Sequence, residues 1–85
     1  MLVSKAKILR SKSPISWYTN RIGEEIYVFS LMYNQNFGVT GYLVIPAGTH
    51  EYRPLERYVD GDDIEILETF DANISETTVI SIERK

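Results

Sequence analysis

The sequence predicts an all-β domain, a small barrel of about five or six short strands, and three observations carry that expectation. Apolar residues recur at every second position in short runs, glycine and proline punctuate the intervals, and no stretch shows a helical apolar stripe of useful length. A chain of 85 residues, 44% hydrophobic and 25% charged, supplies apolar surface for one core rather than two. Residues 1–85 are therefore expected to form a single domain. Cysteine is absent. That excludes disulfides, thiolate catalysis, cysteine-ligated zinc and iron–sulfur clusters, and it suits a reducing cytosol, so the expected location is cytoplasmic.

Leu2 to Arg10 sets Leu2, Ala6 and Ile8 on one side of an extended segment and Lys5 and Lys7 on the other, which predicts the first strand. Ser11 to Asn20 contains three serines, Pro14, Thr19 and Asn20, residues whose side chains compete for backbone partners, and is expected to be a loop carrying Trp17 and Tyr18. After Gly23, Glu25 to Tyr33 is apolar on both faces: Ile26, Val28 and Met32 alternate with Tyr27, Phe29, Leu31 and Tyr33. Such a strand is central, curled in a barrel, or covered on its second face by another segment. Asn34 to Gly38 predicts a hairpin turn, and Val39 to Ile45 the returning strand, with Gly41 marking a bulge or bend. Pro46-Ala47-Gly48 ends that strand. Pro54 before Leu55 to Val59 predicts one short helical turn near residues 54–58. Ile64 to Leu67 reads as a compact strand, Phe70 to Glu76 as a connection, and Thr77 to Ile82 as a sixth strand.

The net charge is −3 and the pI near 5.0, a balance that argues against wholesale binding of a phosphate backbone. The mean conceals two poles. Lys5, Lys7, Arg10, Lys12 and Arg21 all precede the first acid, Glu24, whereas Asp60, Asp62, Asp63, Glu65, Glu68, Asp71, Glu76 and Glu83 meet no base until Arg84. Met1 to Arg10 carries Lys5 and Lys7 inside its apolar run and does not read as a signal peptide. No run approaches the roughly 18 apolar residues that cross a bilayer, so a soluble protein without membrane contact is expected. Asn73-Ile74-Ser75 fits a glycosylation pattern and is read as chance.

The run Ala6-Lys7-Ile8-Leu9-Arg10, then Pro14, then Trp17 to Glu24 leading into Ile26-Tyr27-Val28, and later Tyr58-Val59 and Asp63 to Leu67, resembles small SH3-like proteins encoded by phages and prophages of Gram-positive bacteria. The resemblance spans residues 5–68 and implies an SH3-like barrel. Most members of that group have no assigned activity. The tail 69–85 departs from the pattern as a C-terminal extension that adds a strand or reaches a partner. In an SH3-like barrel the first and fifth strands lie side by side, which would set Lys5 and Lys7 near Glu65 and its neighbours as cross-strand charge pairs.

Such barrels also place the long first loop beside the short helical turn that precedes the last strand. Pro14, Trp17, Tyr18, Tyr52, Pro54 and Tyr58 are then candidates for an aromatic groove, with Trp17 alternatively a plug on the barrel end. The acidic first loop of proline-rich peptide binders is missing, since Ser11 to Arg21 has no acid. Asp60, Asp62, Asp63 and Asp71 lack the spacing of a calcium loop and read as a solvated acidic turn, so no metal is expected. His50 stands without an orienting carboxylate, and no phosphate loop, dinucleotide fingerprint or paired-acid motif occurs, so neither enzymatic activity nor a cofactor is expected. The leading expectation is a non-enzymatic module that binds and modulates a host bacterial protein through Trp17, Tyr18, Tyr33, Phe37, Tyr52 and Tyr58. The alternative is a nucleic-acid-binding barrel using Lys5, Lys7, Arg10, Lys12 and Arg21. Self-association through the doubly apolar strand or the tail is a third.

Overall fold

A computed structural model of the chain describes residues 1–30, 33–34, 40–47, 58–76 and 79–85. The described chain is all-β: β1 (Leu2–Ile8), β2 (Glu25–Phe29), β3 (Tyr33–Asn34), β4 (Thr40–Ile45), β5 (Tyr58–Asp60), a 3-10 turn (Gly61–Asp63), β6 (Ile64–Glu76) and β7 (Ile80–Arg84). All pairings are antiparallel, in the order β3-β4-β2-β1-β6-β7, with β5 on β4. The expected juxtaposition of the Leu2 and Ile64 segments is present, with Lys7 opposite Glu65 and Lys5 opposite Glu68. Lys5 also reaches Glu25 on the other side, at 3.0 Å. The sheet does not close into the expected ring; among the described residues β5 and β7 end it without pairing with each other.

The doubly apolar strand serves two cores. Ile26 and Val28 of β2 pack with Ala6, Ile8, Tyr18, Val44, Val59 and Ile64. Tyr27 and Phe29, pointing the other way because successive side chains alternate, pack with Val3, Ile45, Ala72 and Ile80. Phe70, Ile74 and Ile82 complete that second core, so the β6–β7 hairpin is the segment that covers the second face.

This corrects the reading of the C-terminal third. Residues 64–67 are only the start of a 13-residue strand, and Phe70 to Glu76 lies within it rather than connecting strands. Asp71, Asn73 and Ser75 suggested a turn by composition, yet they are the exposed partners of Phe70, Ala72 and Ile74 in a period-two alternation. One irregularity makes the double service possible. Between Lys5 and Ala6 the register against β6 slips, so that Ala6 faces Ile66 while Lys5 faces Glu68, and Leu67 is the inserted residue. A single extra residue exchanges the faces of everything beyond it. Ile64 therefore points to the first core, and Phe70 and Ala72, at even positions too, point to the second.

The expected sixth strand, 77–82, is observed as Ile80–Arg84. Of the helical turn expected near 54–58, residues 54–57 lie outside the described residues, as does the turn 35–38, while Tyr58 belongs to β5. The 3-10 turn sits just after it, where Asp60 Oδ1 accepts from the Asp62 amide at 3.0 Å and caps it. At Gly41 the feature is a close approach: a Cβ there would lie 2.6 Å from the Val59 carbonyl oxygen. Gly23, at φ 92°, occupies the left-handed region that ends the first loop, and its amide donates to the Ile8 carbonyl at 2.7 Å. Among the described residues no helix is long and apolar enough to cross a membrane.

Candidate functional site

The first loop is built by its own hydroxyls. Ser11 Oγ donates to the Ser13 carbonyl at 2.8 Å and Thr19 Oγ1 donates to the same oxygen at 2.9 Å. Successive one-turn amide bonds, Ser16 to Ser13, Thr19 to Ser16 and Arg21 to Tyr18, carry the chain across the end of the first core. This fold of residues 11–19 delivers Trp17 and Tyr18 to β5 and the 3-10 turn. The Trp17 indole N–H donates to the Tyr58 carbonyl at 2.8 Å, and the Tyr18 hydroxyl donates to Asp63 Oδ2 at 2.6 Å. The two rings meet edge to face, 5.3 Å between centroids.

Between loop and turn lies a groove of about 440 Å³. Trp17, Tyr18 and Tyr58 give it aromatic walls, Ile15 an apolar rim, and Lys12, Asp60 and Asp63 its charges. Ile15 is 92% exposed, an aliphatic side chain left in water at the mouth. Asp63 is the opposite case. The acidic turn expected to be solvated holds a carboxylate only 1% exposed. Its main-chain carbonyl accepts from the Leu9 and Arg10 amides, which ties the turn to the end of β1. Its Oδ2 takes the Tyr18 hydroxyl and, at 3.5 Å, the Lys12 amide; its Oδ1 is buried with no hydrogen-bond partner among the described residues.

The electrostatics follow from these contacts. Burial first, and then the bond to Asp63, push the Tyr18 hydroxyl well above the usual phenol range. Lys12 Nζ lies 2.9 Å from Asp62 and 3.9 Å from Asp60. Its hydrogen bond lowers the Asp62 carboxyl and raises the Lys12 ammonium relative to their ordinary values.

Of the six residues expected to contact a protein, the structure brings Trp17, Tyr18 and Tyr58 together. Tyr18 is 5% exposed and forms the inner wall, packed in the first core, while Trp17 is half-buried against the same core. Tyr33 lies on β3, and Phe37, Tyr52, Pro54 and His50 lie outside the described residues. The five bases do not form one patch. Lys5 pairs with Glu25, Lys12 with Asp62, Arg21 with Glu24 at 3.5 Å, and Arg10 donates to the Asp62 carbonyl. Lys7 stands between Glu25 and Glu65 in the sheet register. Asp71 is on β6, opposite Leu2 and apart from the acidic turn, and no group of three ligating side chains gathers among the described residues.

Sequence reasoning missed the roles of Asp60 and Asp63 as groove walls. The sequence carried no signal for them, because the burial of Asp63 depends on its bond to the distant Tyr18 hydroxyl. Comparison with known proteins finds no matching family model, no matching curated protein and no matching solved structure.

Proposed function

We propose that the chain is a non-enzymatic protein-interaction module with an SH3-like barrel, of the kind carried by phages and prophages of Gram-positive bacteria, which binds and modulates a host protein in the bacterial cytoplasm. The observation that carries the reading is the groove: aromatic walls, an almost fully exposed Ile15 at the mouth and a carboxylate at the base. Rigid aromatic side chains supply contact area at small entropic cost, and a few such anchors dominate a binding interface. The pairing of β1 with β6, and a long first loop resting on a 3-10 turn that leads into β6, support the SH3-like assignment. A phosphate backbone would have to compete with the acids that already hold Lys5, Arg21 and Lys12.

The test is affinity for a purified host protein captured on the chain, measured with the wild type, Trp17→Ala and Ile15→Glu. Each variant is expected to weaken binding about tenfold or more, as removal of an anchor does. Ile15→Glu alters an exposed side chain and leaves the fold alone. Unchanged affinity in both variants, with native circular dichroism, rules the groove out as the binding surface.

A further inference from the structure

We infer that Trp17 and Tyr18 together guard a sheet edge: they stand along the outer side of β5 in place of a neighbouring strand, and their withdrawal opens that side to β5 of a second copy of this chain. The inference concerns self-association and is independent of what the groove receives.

The guard is read from the backbone of β5. Among the described residues this strand pairs with β4 alone, with Gly41 opposite Asp60, Tyr42 opposite Val59 and Leu43 opposite Tyr58. Successive residues of an extended strand aim their main-chain groups to opposite sides, so residues 58 and 60 share a side. On that side the Tyr58 carbonyl accepts the Trp17 indole N–H at 2.8 Å, and the Asp60 amide donates to the Tyr18 hydroxyl oxygen at 3.5 Å. Two consecutive side chains thus hold one acceptor and one donor that a neighbouring strand would otherwise engage. The phenol oxygen is available as an acceptor because its own proton goes to Asp63 Oδ2, 2.6 Å away. The loop holds the pair in turn: the Arg21 amide donates to the Tyr18 carbonyl at 2.9 Å, and the Arg21 guanidinium carbon stands 5.7 Å from the centre of the Trp17 ring. A bare edge strand is a template for pairing with another chain, and covering it is one of the ways proteins prevent that.

The occupant follows from the symmetry of the two guarded groups. A two-fold axis through Val59 sets antiparallel β5 strands side by side with Tyr58 opposite Asp60 of the other copy. Each Tyr58 carbonyl then accepts the Asp60 amide of the other copy, so the acceptor and donor released by the loop are satisfied by their own counterparts. The two Asp60 carboxylates are not opposed in this register, which avoids a like-charge pair. Trp17 and Tyr18 lie on the same line, so guard and second strand exclude each other.

The experiment is sedimentation equilibrium and amide hydrogen exchange on the full chain between about 10 µM and about 1 mM, the range in which a short interface of few hydrogen bonds is populated. The wild type is expected to keep the mass of one chain, with exchange at the Asp60 amide independent of concentration. Trp17→Phe/Tyr18→Phe keeps both rings and removes the donor and the acceptor. Its mass should rise toward two chains, and exchange at Asp60 should slow about tenfold from the dilute to the concentrated sample. Adding Asp60→Pro should restore the monomer, since the φ of −64° at this residue already suits proline and the amide removed points away from β4. Trp17→Phe alone leaves the bond between Tyr18 and Asp63 in place and should associate more weakly; it decides the matter if circular dichroism shows the double variant unfolded. A folded variant that stays a monomer at the highest concentration overturns the inference. So does a dimer whose Asp60 amide gains no protection, one that survives Asp60→Pro, or a wild type that associates as strongly as the variants.

Discussion

The two sides of the sheet are held by different chemistry. On one, Ala6, Ile8, Val28, Val44, Val59 and Ile64 share their core with Tyr18 and with a carboxylate that reaches in from the 3-10 turn. On the other, Val3, Ile45, Ala72 and Ile80 are joined by Tyr27, Phe29, Phe70, Ile74 and Ile82, with Tyr27 and Phe70 edge to face at 6.3 Å. Arg84 lies over Phe70, its guanidinium carbon 4.0 Å from the ring centre, and pairs with Glu68, roofing that core with a charge that stays in water. The contrast divides the labour: the side with buried polar groups carries the groove, and the dry side supplies stability without touching it. Buried polar groups fix a unique arrangement when satisfied and cost free energy when not, so a recognition surface is where an unfinished one is tolerated.

The strongest way to break the division is to delete Leu67. Removal of the inserted residue should turn Phe70, Ala72 and Ile74 toward the first core's face, strip the second core, and abolish hydrogen-exchange protection across β6 and β7. Retained protection there would show that the register slip is not what lets β6 serve both sides. Ile80→Ala comes next. It should lower stability in urea by about 2–5 kcal/mol while leaving Trp17 fluorescence in the native state and ligand affinity unchanged. A loss of affinity would mean that the dry side does reach the groove.

Tyr18→Phe probes the polar side and should cost about 1–3 kcal/mol, because Asp63 then loses its strongest donor. Its pH signature has a definite sign. The folded protein holds the Tyr18 proton more tightly than the unfolded chain does, so this contribution is complete below the ordinary phenol value of about 10 and is lost as pH rises beyond it. Stability of the wild type should therefore fall above about pH 10 more steeply than that of Tyr18→Phe; parallel profiles would contradict the assignment. The smallest effect is Gly23→Ala, about 1 kcal/mol from forcing a side chain into the left-handed region, since nothing lies within 4 Å of the added carbon.

Period-two patterning made β1, β2 and β4 legible, and the apolar second face of Glu25 to Tyr33 announced that something must cover it. What covers it was obscured because Asp71, Asn73 and Ser75 carry turn-forming side chains, and pattern alone does not distinguish a turn from the wet face of a strand. The slip at Leu67 left no mark, as no glycine stands there. Trp17 and Tyr58 were legible as neighbours from the first loop and the segment expected to lie beside it, although Tyr58 stands on β5 rather than in a helical turn. Asp63 was not, because a run of acids reads as solvated whenever burial of one member depends on a distant hydroxyl, here Tyr18 from 45 residues upstream.

Gly41 contributes nothing to the groove, yet the spacing of the groove depends on it. Its missing carbon lets β5 settle against β4, and β5 carries both Tyr58, whose carbonyl anchors the Trp17 indole, and Asp60. Any larger residue would act as a wedge driven from behind, lifting one wall away from the other. The aperture offered to a partner is thus calibrated by an absence on the far strand.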